Sequence, residues 1–107
     1  MLTQKSAISH IKKIASDIKQ SGIHLHKVML FGSYAKNLQH KWSDIDIALV
    51  ADEFKGTGFN DAGLFSKILI KYPDLNIQPR TYNTDDFSVD KDPFVEEILK
   101  TGIEIEM

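Results

Sequence analysis

The eight residues Ser43-Asp44-Ile45-Asp46-Ile47-Ala48-Leu49-Val50 constrain this chain more than any other stretch. They read as a strand, and side chains on a strand alternate between its two faces. Ile45, Ile47 and Leu49 therefore share one face. Asp44 and Asp46 share the other, which Ala48 and Val50 continue. The isoleucine face must be covered, and the aspartate face must be open or line a cleft. Two carboxylates at this spacing stand roughly 7 Å apart along the backbone. At an effective dielectric near 20 their repulsion costs on the order of 2 kcal/mol. Aspartate is also a poor strand former. A solvated strand end would tolerate both acids, whereas a divalent cation gives both a reason. Mg²⁺ takes hard oxygen ligands, commonly one or two carboxylates with substrate phosphates.

The rest of the chain alternates two periods. Ser6–Gln20 carries Ile8, Ile11, Ile14, Ala15 and Ile18 at helical spacing, and Gly22 follows as a helix stop. Lys27–Phe31 is a short apolar run halted by Gly32-Ser33, and reads as a buried strand entering a turn. Asp52–Asn60 is a glycine-bearing loop. Asn60 or Asp61 can cap a helix over Leu64, Phe65, Ile68 and Leu69, which Pro73 ends. Leu75–Tyr82 alternates and makes a third strand, placed at an edge or bulged because Pro79 lacks an N–H. Asp92-Pro93 opens a last helix that Gly102 closes, and Ile103–Glu106 adds a short strand or trails off. The order predicts an α/β (α+β) fold: a small mixed sheet with helices packed on one face. At 107 residues the expectation is a single domain over 1–107.

Composition excludes several classes. There is no cysteine, so disulfides, thiolate chemistry and cysteine-bound zinc are ruled out. No apolar run approaches the roughly 20 residues of a membrane span, and no basic-then-apolar leader follows Met1, so a cytoplasmic location is expected. Net charge is −2, and nucleic acid is not an expected partner. The charge is uneven: residues 1–41 carry a balance of +6 and residues 42–107 a balance of −8. Solvated lysines explain this simply; a basic face beside an acidic site is the alternative.

Gly32-Ser33 sharpens the reading of the aspartates. If the segment after it begins a helix, free N–H groups there favour an anion such as phosphate. Glycine lets the phosphate approach the backbone, Ser33 adds a hydroxyl, and Lys36 follows one turn on. Ten residues separate Ser33 from Asp44. Leu30-Phe31-Gly32-Ser33-Tyr34-Ala35-Lys36-Asn37 together with Asp44–Val50 resembles the signature of the DNA polymerase β nucleotidyltransferase superfamily, most of all its minimal nucleotidyltransferases. Asp92-Pro93-Phe94 and Ile98–Ile103 resemble the tail of many small members.

The resemblance implies the polymerase β-like fold and a set of roles. Gly32 and Ser33 would hold nucleotide phosphates, with Lys36 a further contact. Asp44 and Asp46 would be catalytic ligands to Mg²⁺ in a two-metal site. ATP or another NTP would be the substrate, its nucleoside monophosphate passing to a hydroxyl acceptor. Such small proteins often act beside a helical HEPN-type partner, some as antitoxins that add AMP to a tyrosine of that partner. The sequence departs from the pattern at Gln78, where the third carboxylate belongs. An amide offers oxygen to a metal but cannot serve as a general base. This admits an alternative: a weakened module that binds nucleotide or partner without turnover. Asn37 stands where relatives usually have glycine.

Lesser candidates complete the reading. His24-x-His26 has metal-ligand character but no third ligand nearby, so surface histidines are the better interpretation. Lys55-Gly56-Thr57-Gly58 lacks the ending and context of a phosphate loop. Tyr34 and Trp42 flank the motif, and either base stacking or packing would suit them.

Overall fold

The computed structural model describes residues 2–56 and 58–107, with side chains for all of these except Gly58 and Phe59. Helix α1 spans Gln4–Gln20. It starts two residues before the expected Ser6, because Thr3 and Ser6 form a reciprocal capping box. Strands β1 (Leu25–Phe31) and β2 (Ile45–Ala51) pair antiparallel. Strand β3 (Ile77–Asn83) runs parallel to β2, and β4 (Ile103–Glu104) pairs antiparallel with β1. The sheet order is β3-β2-β1-β4, a mixed sheet as expected. The tail therefore does form a strand, extended by the bond from Ile105 N to Val28 O at 2.8 Å.

β3 lies at the sheet edge. Ile45 N bonds Asn76 O at 2.8 Å. Alternation along the parallel ladder then directs Pro79, with its missing donor, to the free side.

The helix expected after the loop is broken. It comprises α2 (Gly58–Asp61), a 3₁₀ turn at Ala62–Leu64 and α3 (Ser66–Leu69). Phe65 interrupts it at φ −136°, ψ −6°, and its ring meets Phe54 edge-on at 5.9 Å. Asp61 caps nothing. It is buried, and accepts hydrogen bonds from Lys55 N, Gly56 N and the Thr81 hydroxyl at 2.8, 3.0 and 2.7 Å. Of the glycine-lysine loop, Thr57 lies outside the described residues.

Two apolar clusters hold the sheet. On the isoleucine face, Ile11, Ile14 and Ile18 of α1 and Ile68 of α3 pack with Val28, Leu30, Ile45, Ile47 and Leu49. On the aspartate face, Val95 and Ile98 of α4 (Phe94–Thr101) pack with Met29, Ala48, Val50 and Tyr82. So the aspartate face is not wholly open. α4 covers the far half, beyond Asp46, and turns the near half into a cleft. Gly102 allows the return from α4 to β4: a β-carbon there would press on the backbone oxygens of Ile98 and Leu30.

Candidate active site

β1 ends at Phe31, directly opposite Asp46 of β2. On its other side Asp46 stands in register with Gln78 of β3. One carboxylate is thus flanked by the turn after β1 and by the amide of β3. Gly32 has φ +74°, and a β-carbon there would lie 3.2 Å from Cγ of Asp46 and nearer still to its Oδ2. Glycine is required twice over, by its backbone conformation and by the approach of Asp46.

The segment Gly32–Asn37 is a chain of turns rather than the start of a helix. Lys36 N bonds Gly32 O at 3.2 Å, Leu38 N bonds Ser33 O at 2.9 Å, and Asn37 N bonds Tyr34 O at 3.3 Å. This is one helical turn closed by a six-to-one and a five-to-two bond, with Asn37 left-handed at φ +57°. Asparagine is the best non-glycine residue for that conformation, which gives a physical reason for its presence where glycine is usual. Sequence reasoning did not reveal the clamp on this turn. The Gln4 side-chain amide, from the start of α1, donates to Tyr34 O at 2.9 Å and to Ala35 O at 3.1 Å. Tyr34 itself is buried in the core, while Trp42 is exposed on the rim with Lys41 over its ring at 5.2 Å.

Asp44 lies just before β2. Asn76 donates its amide to Asp44, and Gln78 donates to Asn76 Oδ1 at 3.1 Å. The Asn76 amide, just before β3, therefore faces Asp44, and Gln78, in register with Asp46, bonds back to Asn76. Partial burial, and then the charge of Asp44, holds the Asp46 carboxyl above its usual range. Among the described residues no ion pair engages Asp44 or Asp46. Lys36 instead reaches Glu97 of α4 at 3.4 Å.

Two hollows meet at Asp46. One, about 240 Å³, is lined by Gly32, Lys36, Phe94 and Glu97. The other, about 490 Å³, is lined by Gln78, Arg80, Tyr82, Asp92 and Phe94, with Gly56 at its rim. The histidines lie elsewhere: His24 pairs with Glu53 at 2.5 Å and His26 with Asp52 at 3.1 Å, at the opposite end of the β1–β2 pair. No cluster of three or more histidine and acidic side chains suited to a metal occurs among the described residues. The donors free for a cation are the two aspartates and the neutral amides of Asn76 and Gln78, since Asp92 and Glu97, which also line the hollows, pair with Arg80 and Lys36. That hard-oxygen set fits one divalent cation whose remaining positions are filled by phosphate and water. It does not supply the third carboxylate of a two-metal site.

Comparison with known proteins identifies the family and the fold. A family model described as a nucleotidyltransferase domain matches residues 8–104. A protein from Sulfolobus solfataricus, described as a candidate nucleotidyltransferase, superposes with a TM-score of 0.65 at 20% identity, over 94% of this chain and 80% of that one. A mutant of the MntA–HpeT toxin–antitoxin pair gives 0.61 at 21% identity, over 92% and 72%. A toxin–antitoxin structure with AMP-PNP gives 0.60 at 22%, over 88% and 71%. At these identities the likeness is one of fold. No curated protein matches the sequence. Among the described residues no helix is long and apolar enough to cross a membrane.

Proposed function

From the premise that the chain belongs to the nucleotidyltransferase domain family, we propose that it transfers AMP from ATP to a hydroxyl on a protein partner, with Mg²⁺ held by Asp44 and Asp46. The observation that carries the reading is the position of Asp46, packed over Gly32 on one side and in register with Gln78 on the other. A bound Mg²⁺ would neutralise phosphate charge and polarise the reacting phosphorus. Gly32 and Ser33 form the turn that receives phosphate, and Gln4 holds that turn in place. The acceptor oxygen bonds to the α-phosphorus while the α–β bridging bond breaks and pyrophosphate leaves.

Gln78 cannot take the acceptor's proton, which passes to water or to the departing phosphate. A site without a base favours the acceptor that ionises most readily. A tyrosine hydroxyl, with a pKa of about 10, is the most acidic of the side-chain hydroxyls. The chemistry of this cleft thus supports a tyrosine acceptor, and the toxin–antitoxin likeness supports a protein partner, which we take to be of the HEPN type from the family resemblance. One of those structures carries glutamate in place of two aspartates two positions apart, the spacing of Asp44 and Asp46.

The test is calorimetric titration of ATP, with and without Mg²⁺, into the natural protein and into Asp44→Asn/Asp46→Asn. Mg²⁺-dependent binding that the double variant loses is expected. Absence of binding to the natural protein would sink the proposal. Gln78 also favours a second reading, a binding module with little turnover. Gln78→Glu should then raise transfer on the order of 100-fold, the scale of an added general base, with ATP affinity little changed. An unchanged rate would remove Gln78 as the limitation.

A further inference from the structure

Arg80 occupies the larger hollow two positions beyond Gln78. Its guanidinium lies 4.7 Å from the centre of the Phe94 ring and 5.8 Å from that of Tyr82. Its Nε donates to the Tyr82 hydroxyl at 2.7 Å. Asp92 meets one terminal nitrogen at only 3.6 Å, because its other oxygen accepts from Phe94 N at 3.0 Å. Arg80 is therefore oriented by two rings and a hydroxyl. Its side chain stays half exposed and lines the cleft, with more N–H donors than its partners use.

In-line transfer fixes what enters here. The attacking and leaving oxygens lie on opposite sides of the phosphorus. The phosphate turn lies on the β1 side of Asp46, so pyrophosphate departs there. The acceptor then approaches from the β3 side, across Gln78, and its flank meets Arg80. Two residues of strand separate the Arg80 and Gln78 backbones by roughly 7 Å.

We propose that Arg80 binds a carboxylate of the acceptor, an acidic residue two positions from the modified tyrosine in an extended protein segment. The proposal rests on nucleotidyl transfer at this site. One guanidinium between two aromatic rings suits one carboxylate, because planar bidentate pairing is what arginine does best. A polyanion such as RNA fits poorly. The segment after β3 carries Asp85, Asp86, Asp90 and Asp92, which would repel further phosphates.

The test uses binding, so it stands whether or not Gln78 slows turnover. The full chain is loaded with Mg²⁺ and an ATP analogue that carries a methylene between the α- and β-phosphates. It is titrated with labelled peptides bearing one tyrosine and, two positions away, either glutamate or glutamine, and with a short single-stranded RNA. The glutamate peptide should bind at least tenfold more tightly than its glutamine twin. Arg80→Gln should erase that difference while keeping the analogue's affinity within twofold. Asp92→Asn, which frees the guanidinium, should enlarge the difference, a gain that misfolding cannot produce. Equal binding of the two peptides, or a difference that survives Arg80→Gln, overturns the proposal. Tighter binding of the RNA, lost in Arg80→Gln, overturns it in favour of a phosphate backbone. Failure of the analogue itself to bind removes the nucleotidyl-transfer reading, and this proposal with it.

Discussion

Asp46 and Gly32 act as a pair, since the carboxylate occupies the space where any side chain at position 32 would begin. Gly32→Ala should cost about 1–3 kcal/mol in stability, from the left-handed backbone and from the collision. In an Asp46→Ala background the collision disappears, and the same substitution should cost less. A double-mutant cycle by urea denaturation measures the difference, expected at about 1 kcal/mol. The Gly-Ser turn and both aspartates were legible in the sequence, because glycine before a polar turn and acids in an apolar strand are each locally conspicuous. The contact between them was not, because it depends on how β1 and β2 align. Asp61 was legible only as a helix cap, since nothing local shows that Thr81 lies within reach of its carboxylate.

Elements at both ends of the β1–β2 pair carry testable constraints. At the site end, Gln4 ties α1 to the turn by two side-chain hydrogen bonds. Gln4→Ala removes hydrogen bonds worth about 1 kcal/mol each and should weaken MgATP binding several-fold with only a small loss of stability, read by calorimetry and thermal melting. No periodicity announces such a bond, because Gln4 precedes the apolar stripe of its own helix. At the far end, hydrogen bonding and the charge of Glu53 raise the pKa of His24 above 6.5, while His24 lowers that of Glu53 below 4.5. The histidine contribution is complete below pH 6.5 and fades as pH rises through the raised value. The glutamate contribution is complete above pH 4.5 and fades as pH falls through the lowered one. His24→Asn should therefore lower Tm more near pH 5.5 than at pH 8.5. Equal losses at the two pH values would show the pair to be uncharged.

Across the whole molecule, the sheet is covered on one face by α1 and α3 and on half of the other by α4. The tail that forms β4 was open between a strand and a loose end, while strands β1, β2 and β3 and the helices α1 and α4 were legible in the sequence. The side on which α4 packs was not, since an amphipathic helix shows that it has a buried face without showing which surface meets it. Its position decides the cleft, because Phe94, Glu97 and the preceding Asp92 line the two hollows beside Asp46. Ile98→Ala should cost about 2–5 kcal/mol by leaving a cavity under α4. It should also weaken nucleotide and acceptor binding together, whereas Gln4→Ala affects nucleotide alone. Denaturation and the two binding assays on both variants separate these outcomes.

The packing of Asp46 against Gly32 also sets an order on descent with change. A lineage that exchanges the aspartate for a smaller residue opens room at position 32, and the glycine is then held by its backbone conformation alone. The reverse order starts with a collision at the end of the β1–β2 pair and is purged. Loss of the acid is thus a ratchet: once position 32 has gained a side chain, a return of aspartate to position 46 is blocked. A glycine still at 32, facing an aspartate still at 46, marks a chain in which that ratchet has not turned, whatever has happened at position 78.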